Sequence, residues 1–226
     1  KFNDSYTGTI GLMGTFSSFF SHHIATMEGG VVLTDDKELY HILLSLRAHG
    51  WTRNLPKDNL VCEKSDDSFK ESFRFVLPGY NVRPLEMSGA IGIEQLKKLP
   101  DFISTRRKNA QFFIDSFSDD KNFITQEEIG DSSWFGFSLI INNEKIKRKD
   151  LLEYLRNAKI ETRPIVTGDF TQNEVMKYFD YEIYGDLKNA SFLHKNGFFV
   201  GNSHVDLEEE INYLRQTINR FLSEEI

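Results

Sequence analysis

Residues 14–30 read GTFSSFFSHHIATMEGG, and the chain continues with the β-branched run of residues 31–34. Small and apolar residues with a glycine break over positions 9–20 predict a buried strand and a turn, and residues 31–34 predict a second strand. Asp35 and Asp36 are suited to cap a following helix. The apolar residues of that helix, at helical spacing, are Leu39, Ile42, Leu43 and Leu46. Strand, turn, strand and helix in this order predict an α/β layer.

A long loop and a long helix follow. Residues 50–77 are polar, without a clear period, and loops of that length are uncommon unless they are functional. Pro84 favours the start of a helix that continues to about Phe117, and Pro100 should kink or split it. The positions expected to face inward are Ile91, Leu96, Leu99, Ile103, Ala110 and Phe113. We expect the cations of this helix, residues 97–98 and 106–108, to form a solvated face.

Beyond residue 118 short strands and helices alternate, which predicts a small α+β domain. Strands are expected at residues 134–141 and 198–200, an extended segment at 160–166, and helices at 149–158 and from Asp206 onward. One face of the first strand carries Phe135, Phe137, Leu139 and Ile141, and the last helix has a buried stripe of Ile211, Leu214, Ile218 and Phe221. We therefore predict one domain over residues 1–117 and a second over residues 118–226.

The composition excludes several classes of protein. The 226 residues carry a net charge of −7, 39% hydrophobic and 27% charged residues, which predicts a packed core and argues against a nucleic-acid surface. No run approaches the roughly 20 apolar residues of a membrane span, and residues 1–30 show no signal peptide. The single Cys62 rules out an internal disulfide and fits a reducing compartment. We therefore expect a cytoplasmic protein that binds neither membrane nor nucleic acid.

The pair His22 and His23 stands out within the opening segment. Adjacent side chains do not converge on one ion, and no zinc-like spacing lies nearby, so we predict no metal site. Two partly buried loop histidines are one explanation. A second is a phosphate-binding turn, because Ser17, Ser18 and Ser21 precede the pair and glycines follow it. No Gly-x-x-x-x-Gly-Lys signature indicates a nucleoside triphosphate loop.

Three further residues have two explanations each. His49, followed by Gly-Trp-Thr-Arg53, either caps a helix C-terminus or joins Arg53 in binding a diphosphate. Arg163, which precedes a proline, forms either a surface ion pair or an anion contact. Spacing alone does not decide between these alternatives.

Two segments carry a resemblance to a known family. Residues 14–30, and PGYNVRPLEMSGAIG at residues 78–92, resemble the two hallmark segments of the DegT-type nucleotide-sugar aminotransferases. The resemblance runs over nearly the whole chain. It implies pyridoxal phosphate as cofactor and the aspartate-aminotransferase fold, here the rear part of its large α/β domain plus the small C-terminal α+β domain.

One position departs from the family pattern. Counting back from residues 28–30, the Schiff-base lysine of the family would fall at position 22, where this chain has His22. Histidine there, with HGWTRNLP at residues 49–56, resembles the branch of the family that removes a sugar C3 hydroxyl. The resemblance implies GDP-4-keto-6-deoxy-D-mannose as substrate, glutamate as amino donor, and a pyridoxal or pyridoxamine phosphate that is not covalently bound. His22 is then the catalytic base, which also protonates the departing hydroxyl.

The resemblance assigns further residues by position. Ser17 is implied to bind the cofactor phosphate, and Asn81 to reach the phosphate of the neighbouring subunit's cofactor, which implies a homodimer. His49, Arg53 and Arg163 are implied to contact the substrate. An aminotransferase with an unusual base, or a non-catalytic relative, remain the alternatives.

The first residues of the chain read as the middle of a protein. Lys1 is not methionine, and the family's aspartate on the pyridine nitrogen and its ring-stacking aromatic residue would lie upstream. We expect a protein that starts at Lys1 to be inactive.

Overall fold

The computed structural model describes residues 1–225. Its strands and helices, in chain order, are β1 (Gly14–Ser17), β2 (Gly30–Leu33), α1 (Lys37–Leu46), α2 (Ser68–Glu71), α3 (Glu86–Phe117), β3 (Phe123–Thr125), β4 (Gly136–Ile141), α4 (Arg148–Asn157), α5 (Lys188–Asn196), β5 (Gly197–Gly201) and α6 (Glu208–Glu225). By their contacts the residues divide into two units, Lys1–Leu99 and Pro100–Ile226.

The first unit opens with the predicted strand, turn, strand and helix. β1 and β2 pair antiparallel, with Gly14 opposite Leu33 and Ser17 opposite Gly30. The Asp36 carboxylate caps α1 by accepting from the Leu39 N–H at 2.9 Å. The predicted burial of the first strand is wrong, because every β1 residue after Gly14 is exposed. β1 pairs with β2 alone in a two-stranded sheet, which within the described residues gives these side chains little to pack against.

The loop over residues 50–77 is confirmed, with one short helix inside it. Asp67 caps α2 by accepting from the N–H groups of Phe69 and Lys70. Trp51 forms an isolated antiparallel bridge with Phe75. The two ends of the loop therefore lie side by side.

The long helix α3 differs from its prediction in three ways. It begins at Glu86 rather than at Pro84, and it continues through Pro100 instead of splitting there, whereas a kink at Pro100 stays a prediction. Proline costs a helix one backbone hydrogen bond. Ile91 and Leu96 are exposed rather than inward, whereas Ala110 and Phe113 are buried as predicted.

The contact division falls at Leu99 and Pro100, inside α3, and not after residue 117. The assignment of residues 1–117 and 118–226 to two domains stays a prediction.

The second unit holds a three-stranded antiparallel sheet in the order β3-β4-β5. Its core lies between the sheet and the helices, with the rings of Phe113 and Phe137 stacked at 4.6 Å. The predicted stripe of α6 is confirmed, since Ile211, Leu214, Ile218 and Phe221 are all buried. Phe135 was wrongly placed on the strand; it precedes β4 and is exposed. α5 was not predicted.

Arg106 corrects the prediction of a solvated basic face on α3. Its side chain is buried and donates to the carbonyls of Ser133, Trp134 and Phe135 at 3.0–3.2 Å. Arg106 lies on the same helical face as the buried Ala110, four residues on. Burial lowers the pKa of its guanidinium below the ordinary value.

No helix in residues 1–225 combines the length and the apolar character that a membrane span requires.

Candidate functional site

The loop between β1 and β2 carries His22, and hydrogen bonds join the two ends of this loop. The Ser18 N–H donates to the Gly29 carbonyl at 3.0 Å, and the Thr26 N–H donates to the Ser18 carbonyl at 2.8 Å. The hydroxyls of Ser18 and Thr26 share a hydrogen bond of 2.7 Å. Thr26 is buried, so the ends of the loop are held together by backbone and side-chain bonds.

The first turns of α3 hold the same loop from the side. The Ala25 N–H donates to Gln95 Oε1 at 3.2 Å, and the Ser88 hydroxyl lies 3.5 Å from the Glu28 carbonyl. Both contacts join the hairpin to residues about 60 to 70 positions away. The loop conformation thus depends on α3 as well as on its own sequence.

The two histidines of the loop have different surroundings. His22 is exposed, its N–H donates to the Phe19 carbonyl at 3.0 Å, and its ring lies edge-on to the Phe19 ring at 6.1 Å. His23 is half-buried. The exposed Ser17 hydroxyl accepts from the Phe19 N–H at 3.3 Å. The loop therefore carries a solvent-accessible imidazole, and the strand end before it carries an exposed serine hydroxyl.

No group of three or more histidine, cysteine, aspartate or glutamate side chains within residues 1–225 is arranged to hold a metal ion.

A second cluster forms where residues 47–51 run beside residues 80–82. Ala48 bridges to Asn81, and the His49 N–H donates to the Tyr80 carbonyl at 2.8 Å. His49 has a positive φ of 63° and Gly50 one of 81°. A Cβ at Gly50 would lie 1.7 Å from the Leu77 carbonyl oxygen, so this turn requires glycine. The pairing places Asn81 beside the HGWTR segment.

Trp51 is the centre of this second cluster. Its ring centroid lies 4.8 Å from that of His49, and the guanidinium carbons of Arg53 and Arg83 lie 4.3 and 5.6 Å from it. Guanidinium groups stack favourably on indole. The indole N–H is buried and has no hydrogen-bond acceptor among the described residues. The sequence reasoning missed both Trp51 and Arg83, although both lie inside the segments that carried the resemblance.

The two arginines bring positive charge that no carboxylate pairs with in the part of the chain that the structure describes. Arg53 donates to the Ser72 carbonyl at 2.8 Å, and the Arg83 Nε donates to Asn81 Oδ1 at 3.2 Å. Neither guanidinium forms an ion pair within residues 1–225. Two unneutralised guanidinium groups around one indole can bind an anion such as a phosphate.

Arg163 lies in the second unit, apart from these residues in the chain. Its guanidinium donates twice to Glu161 Oε1, at 2.8 and 3.2 Å. Its backbone pairs with Phe199 of β5. Of its two predicted explanations the structure contains the surface ion pair, and the substrate contact stays a prediction.

The structure thus groups the predicted residues in two sets. Ser17, the last residue of β1, and His22, in the loop that follows, form one set, and Asn81, His49 and Arg53 belong to the cluster around Trp51. Both sets lie in the unit Lys1–Leu99.

The chain belongs to the DegT/DnrJ/EryC1/StrS aminotransferase family, whose model matches residues 1–217. The predicted aspartate-aminotransferase-like fold is confirmed by solved members of this class, such as an aminotransferase of Helicobacter pylori with a TM-score of 0.80 over 99% of the chain.

Two curated relatives are more than 60% identical to the chain over nearly all of its length. A GDP-4-keto-6-deoxy-D-mannose 3-dehydratase of Escherichia coli O55:H7 is 64% identical over 96% of the chain, and one of Yersinia pseudotuberculosis is 62% identical over 95%. The chain spans 57% and 55% of the lengths of these relatives.

Solved structures of such a dehydratase match equally well. An Escherichia coli enzyme with bound hydrated pyridoxal phosphate has a TM-score of 0.92 and 64% identity, over 96% of the chain and 57% of its own. Two others, each 63% identical with the same TM-score and the same coverage, hold GDP-perosamine in a histidine-to-asparagine variant and a trapped adduct of glutamate with pyridoxal phosphate.

Proposed function

We propose that the full-length protein is a pyridoxal-phosphate-dependent 3-dehydratase of a nucleotide sugar. It converts GDP-4-keto-6-deoxy-D-mannose and L-glutamate into the 4-keto-3,6-dideoxy sugar, 2-oxoglutarate and ammonia, as a step of colitose and O-antigen synthesis. The observation that carries the proposal is His22, exposed on a loop with fixed ends; the resemblance assigns this position to the family's lysine. The names of the relatives that are 62–64% identical support it.

The donor groups of the first unit fit a cofactor that bears a phosphate. Ser17 offers an exposed hydroxyl, and Asn81 offers a side-chain amide beside the Arg83 guanidinium. No lysine occurs between Lys1 and Lys37, so the loop has no amine for covalent attachment. Pyridoxal or pyridoxamine phosphate, held without a covalent bond, supplies the ring that withdraws electrons from the reacting carbon.

The contribution of the chain to the chemistry is a proton carried by His22. A neutral imidazole accepts a proton at a ring nitrogen, and the imidazolium that forms can donate it again near neutral pH. We assign the second transfer to the C3 oxygen of the sugar, which then leaves as water. The fixed loop ends keep the imidazole in place for both transfers.

The cluster around Trp51 is the proposed site of the substrate diphosphate. Arg53 carries a planar guanidinium whose fork of donors matches phosphate oxygens, and Arg83 adds a second charge. His49 lies against the same indole ring. We propose that Arg163 also contacts the substrate.

We further infer a cytoplasmic homodimer. The homodimer is inferred from Asn81, because the residue that matches it in the family reaches the cofactor phosphate of the neighbouring subunit.

The decisive experiment incubates the full-length protein with pyridoxal phosphate, glutamate and GDP-4-keto-6-deoxy-D-mannose and determines the product by mass. A product lighter by one oxygen that is still a ketone supports the proposal. An amino sugar that retains its other oxygens would mean that the protein is an aminotransferase, and no reaction at all would favour a non-catalytic relative.

A further inference from the structure

We propose that Thr52 and Glu71 form a positioning pair that holds Trp51 and Arg53 in place for the substrate. This inference rests on the proposed function of Arg53 as a diphosphate contact. Neither Thr52 nor Glu71 is expected to touch the substrate.

The pair is joined by a short hydrogen bond across 19 positions of sequence. The Thr52 hydroxyl donates to Glu71 Oε2 at 2.6 Å. Thr52 is completely buried although it lies between the two residues of the proposed site. A buried hydroxyl is expected to keep its partner, because an unpaired one costs free energy.

Backbone hydrogen bonds also join the segment around Thr52 to the segment that follows Glu71. The Thr52 N–H donates to the Arg74 carbonyl at 3.0 Å, and the Val76 N–H donates to the Gly50 carbonyl at 2.8 Å. Arg53 completes the series through its bond to the Ser72 carbonyl. The segment 50–53 therefore lies along the segment 71–76, residue by residue.

Glu71 is itself fixed by three donors. Besides Thr52, the Ser65 N–H donates to Oε1 at 2.8 Å and Arg74 Nη1 donates to Oε1 at 2.7 Å. These bonds, led by that of Thr52, lower the pKa of Glu71 to about 2. The carboxylate is thus ionised throughout the physiological range and remains an acceptor for the Thr52 hydroxyl.

Lys64 holds the opposite side of Thr52. Its ammonium group donates to the carbonyls of Thr52 and Leu55 at 3.2 and 2.9 Å. The hydroxyl, the N–H and the carbonyl of Thr52 are therefore all engaged by residues 64–74. This arrangement holds the backbone that carries the Trp51 ring and the Arg53 side chain.

The bond between Thr52 and Glu71 helps to fix the position of the Arg53 guanidinium before the substrate binds. The guanidinium lies over Trp51 at 4.3 Å and over Phe73 at 5.3 Å, and Phe73 follows Glu71 by two residues. If the Thr52 bond is lost, these two ring surfaces are free to shift relative to each other. Binding of a diphosphate then has to restore the geometry and becomes weaker.

The test uses Thr52→Val, which keeps the volume of the side chain and removes the hydroxyl, Thr52→Ser, which keeps the hydroxyl, and Glu63→Gln as the matched control. Glu63 is an acid of the same loop that contacts Arg74 through its backbone carbonyl. In the full-length holoenzyme we measure kcat and KM for the GDP-sugar, the Kd of GDP by calorimetry, and tryptophan emission. Trp134 lies in the other unit, and the spectrum of the same variant with Trp51→Phe is subtracted each time, so the remaining emission reports on Trp51.

We expect Thr52→Val to raise KM and the Kd of GDP about tenfold, equivalent to about 1.4 kcal/mol. Its kcat should stay within about twofold of the wild-type value. Its tryptophan emission should shift to longer wavelength. Thr52→Ser and Glu63→Gln should match the wild type. The proposal is overturned if Thr52→Val behaves like Glu63→Gln, or if Thr52→Ser is as defective as Thr52→Val. Should Thr52→Val fail to fold, Thr52→Ala, which also removes the hydroxyl, takes its place in the same comparison.

Arg53→Ala separates this inference from the proposed function. Loss of GDP affinity in Arg53→Ala supports the diphosphate contact. If Arg53→Ala binds GDP like the wild type, the role assigned to Arg53 is wrong. The emission of Thr52→Val against Glu63→Gln then decides the positioning of Trp51 by itself: a shift supports it, and identical spectra overturn it.

Discussion

At the scale of single residues, the proposed function depends on one substitution, histidine for lysine, at position 22. Lysine at position 22 would offer an amine for covalent attachment of the cofactor, whereas His22 offers only proton transfer. His22 is open to solvent, whereas its neighbour His23 is half-buried.

The first prediction compares these two neighbours. We expect His22→Asn in the full-length protein to lower kcat by about 10²- to 10⁴-fold, the usual contribution of a positioned acid or base, with binding of pyridoxal phosphate retained. His23→Asn, the matched control, should keep kcat near the wild-type value. Equal losses in the two variants, measured by product formation, would remove His22 from the proposed role.

A second residue prediction concerns acid stability. Burial would raise the pKa of Asp120, but hydrogen bonds from Arg215 and Asn122 outweigh burial and hold that pKa below its ordinary value of 3.8. A lowered pKa stabilises the fold above the ordinary value, and the stabilisation is lost as the pH falls through the folded value. Asp120→Asn should therefore lose about 1–3 kcal/mol of unfolding free energy at pH 7.

The pH dependence provides the check on that prediction. By urea unfolding, the gap between wild type and Asp120→Asn should stay constant from about pH 7 to 5 and shrink below about pH 4. Asp119→Asn, an exposed neighbour, should follow the wild type at every pH. A gap that widens toward low pH would contradict the assignment.

At the scale of elements, one buried amide joins α3 to the segment that leads into α6. The side-chain amide of Asn109 donates to the Val205 carbonyl at 2.7 Å and to the Ser203 carbonyl at 3.2 Å, and its oxygen accepts from the Leu207 N–H at 3.2 Å. Asn109 is 1% exposed. The amide thus satisfies backbone groups that have no helical partner before α6 begins.

We expect Asn109→Leu to lower the free energy of unfolding by about 1–3 kcal/mol, because leucine matches the size of asparagine and leaves these backbone groups without partners. Gln111→Leu makes the same kind of change at an exposed position of the same helix and should stay within about 0.5 kcal/mol of the wild type. Thermal or urea unfolding of both variants measures the difference. Equal stability of the two would show that the Asn109 bonds add nothing.

At the scale of the whole molecule, the apolar faces within one helix or strand were predictable, and the contacts between distant residues were not. The stripe of α6 and the buried face of β4 follow from spacing, because each pattern is local to one element. The exposed Ile91 and Leu96 of α3 could not be foreseen from the same spacing. An apolar stripe indicates a face that can be buried, and not which neighbour covers it.

The candidate site shows the same limit. His22 and Ser17 stand out in the sequence itself, but their roles, and the choice of Asn81, came from a family resemblance, which assigns positions without geometry. The bond between Thr52 and Glu71 joins residues 19 positions apart inside an aperiodic loop, and no local pattern announces such a pair. Arg106 was wrongly placed in solvent because its partners, three carbonyls, leave no trace in residue type.

We propose that the family's fold, with histidine in place of lysine, removes a hydroxyl instead of transferring an amine. The ratio of ammonia to 2-oxoglutarate released during turnover of GDP-4-keto-6-deoxy-D-mannose by the full-length protein with glutamate distinguishes the two reactions. A dehydratase returns the nitrogen of glutamate to solution, so we expect about one ammonia for each 2-oxoglutarate. A ratio near zero, with the nitrogen retained in the sugar, would contradict it.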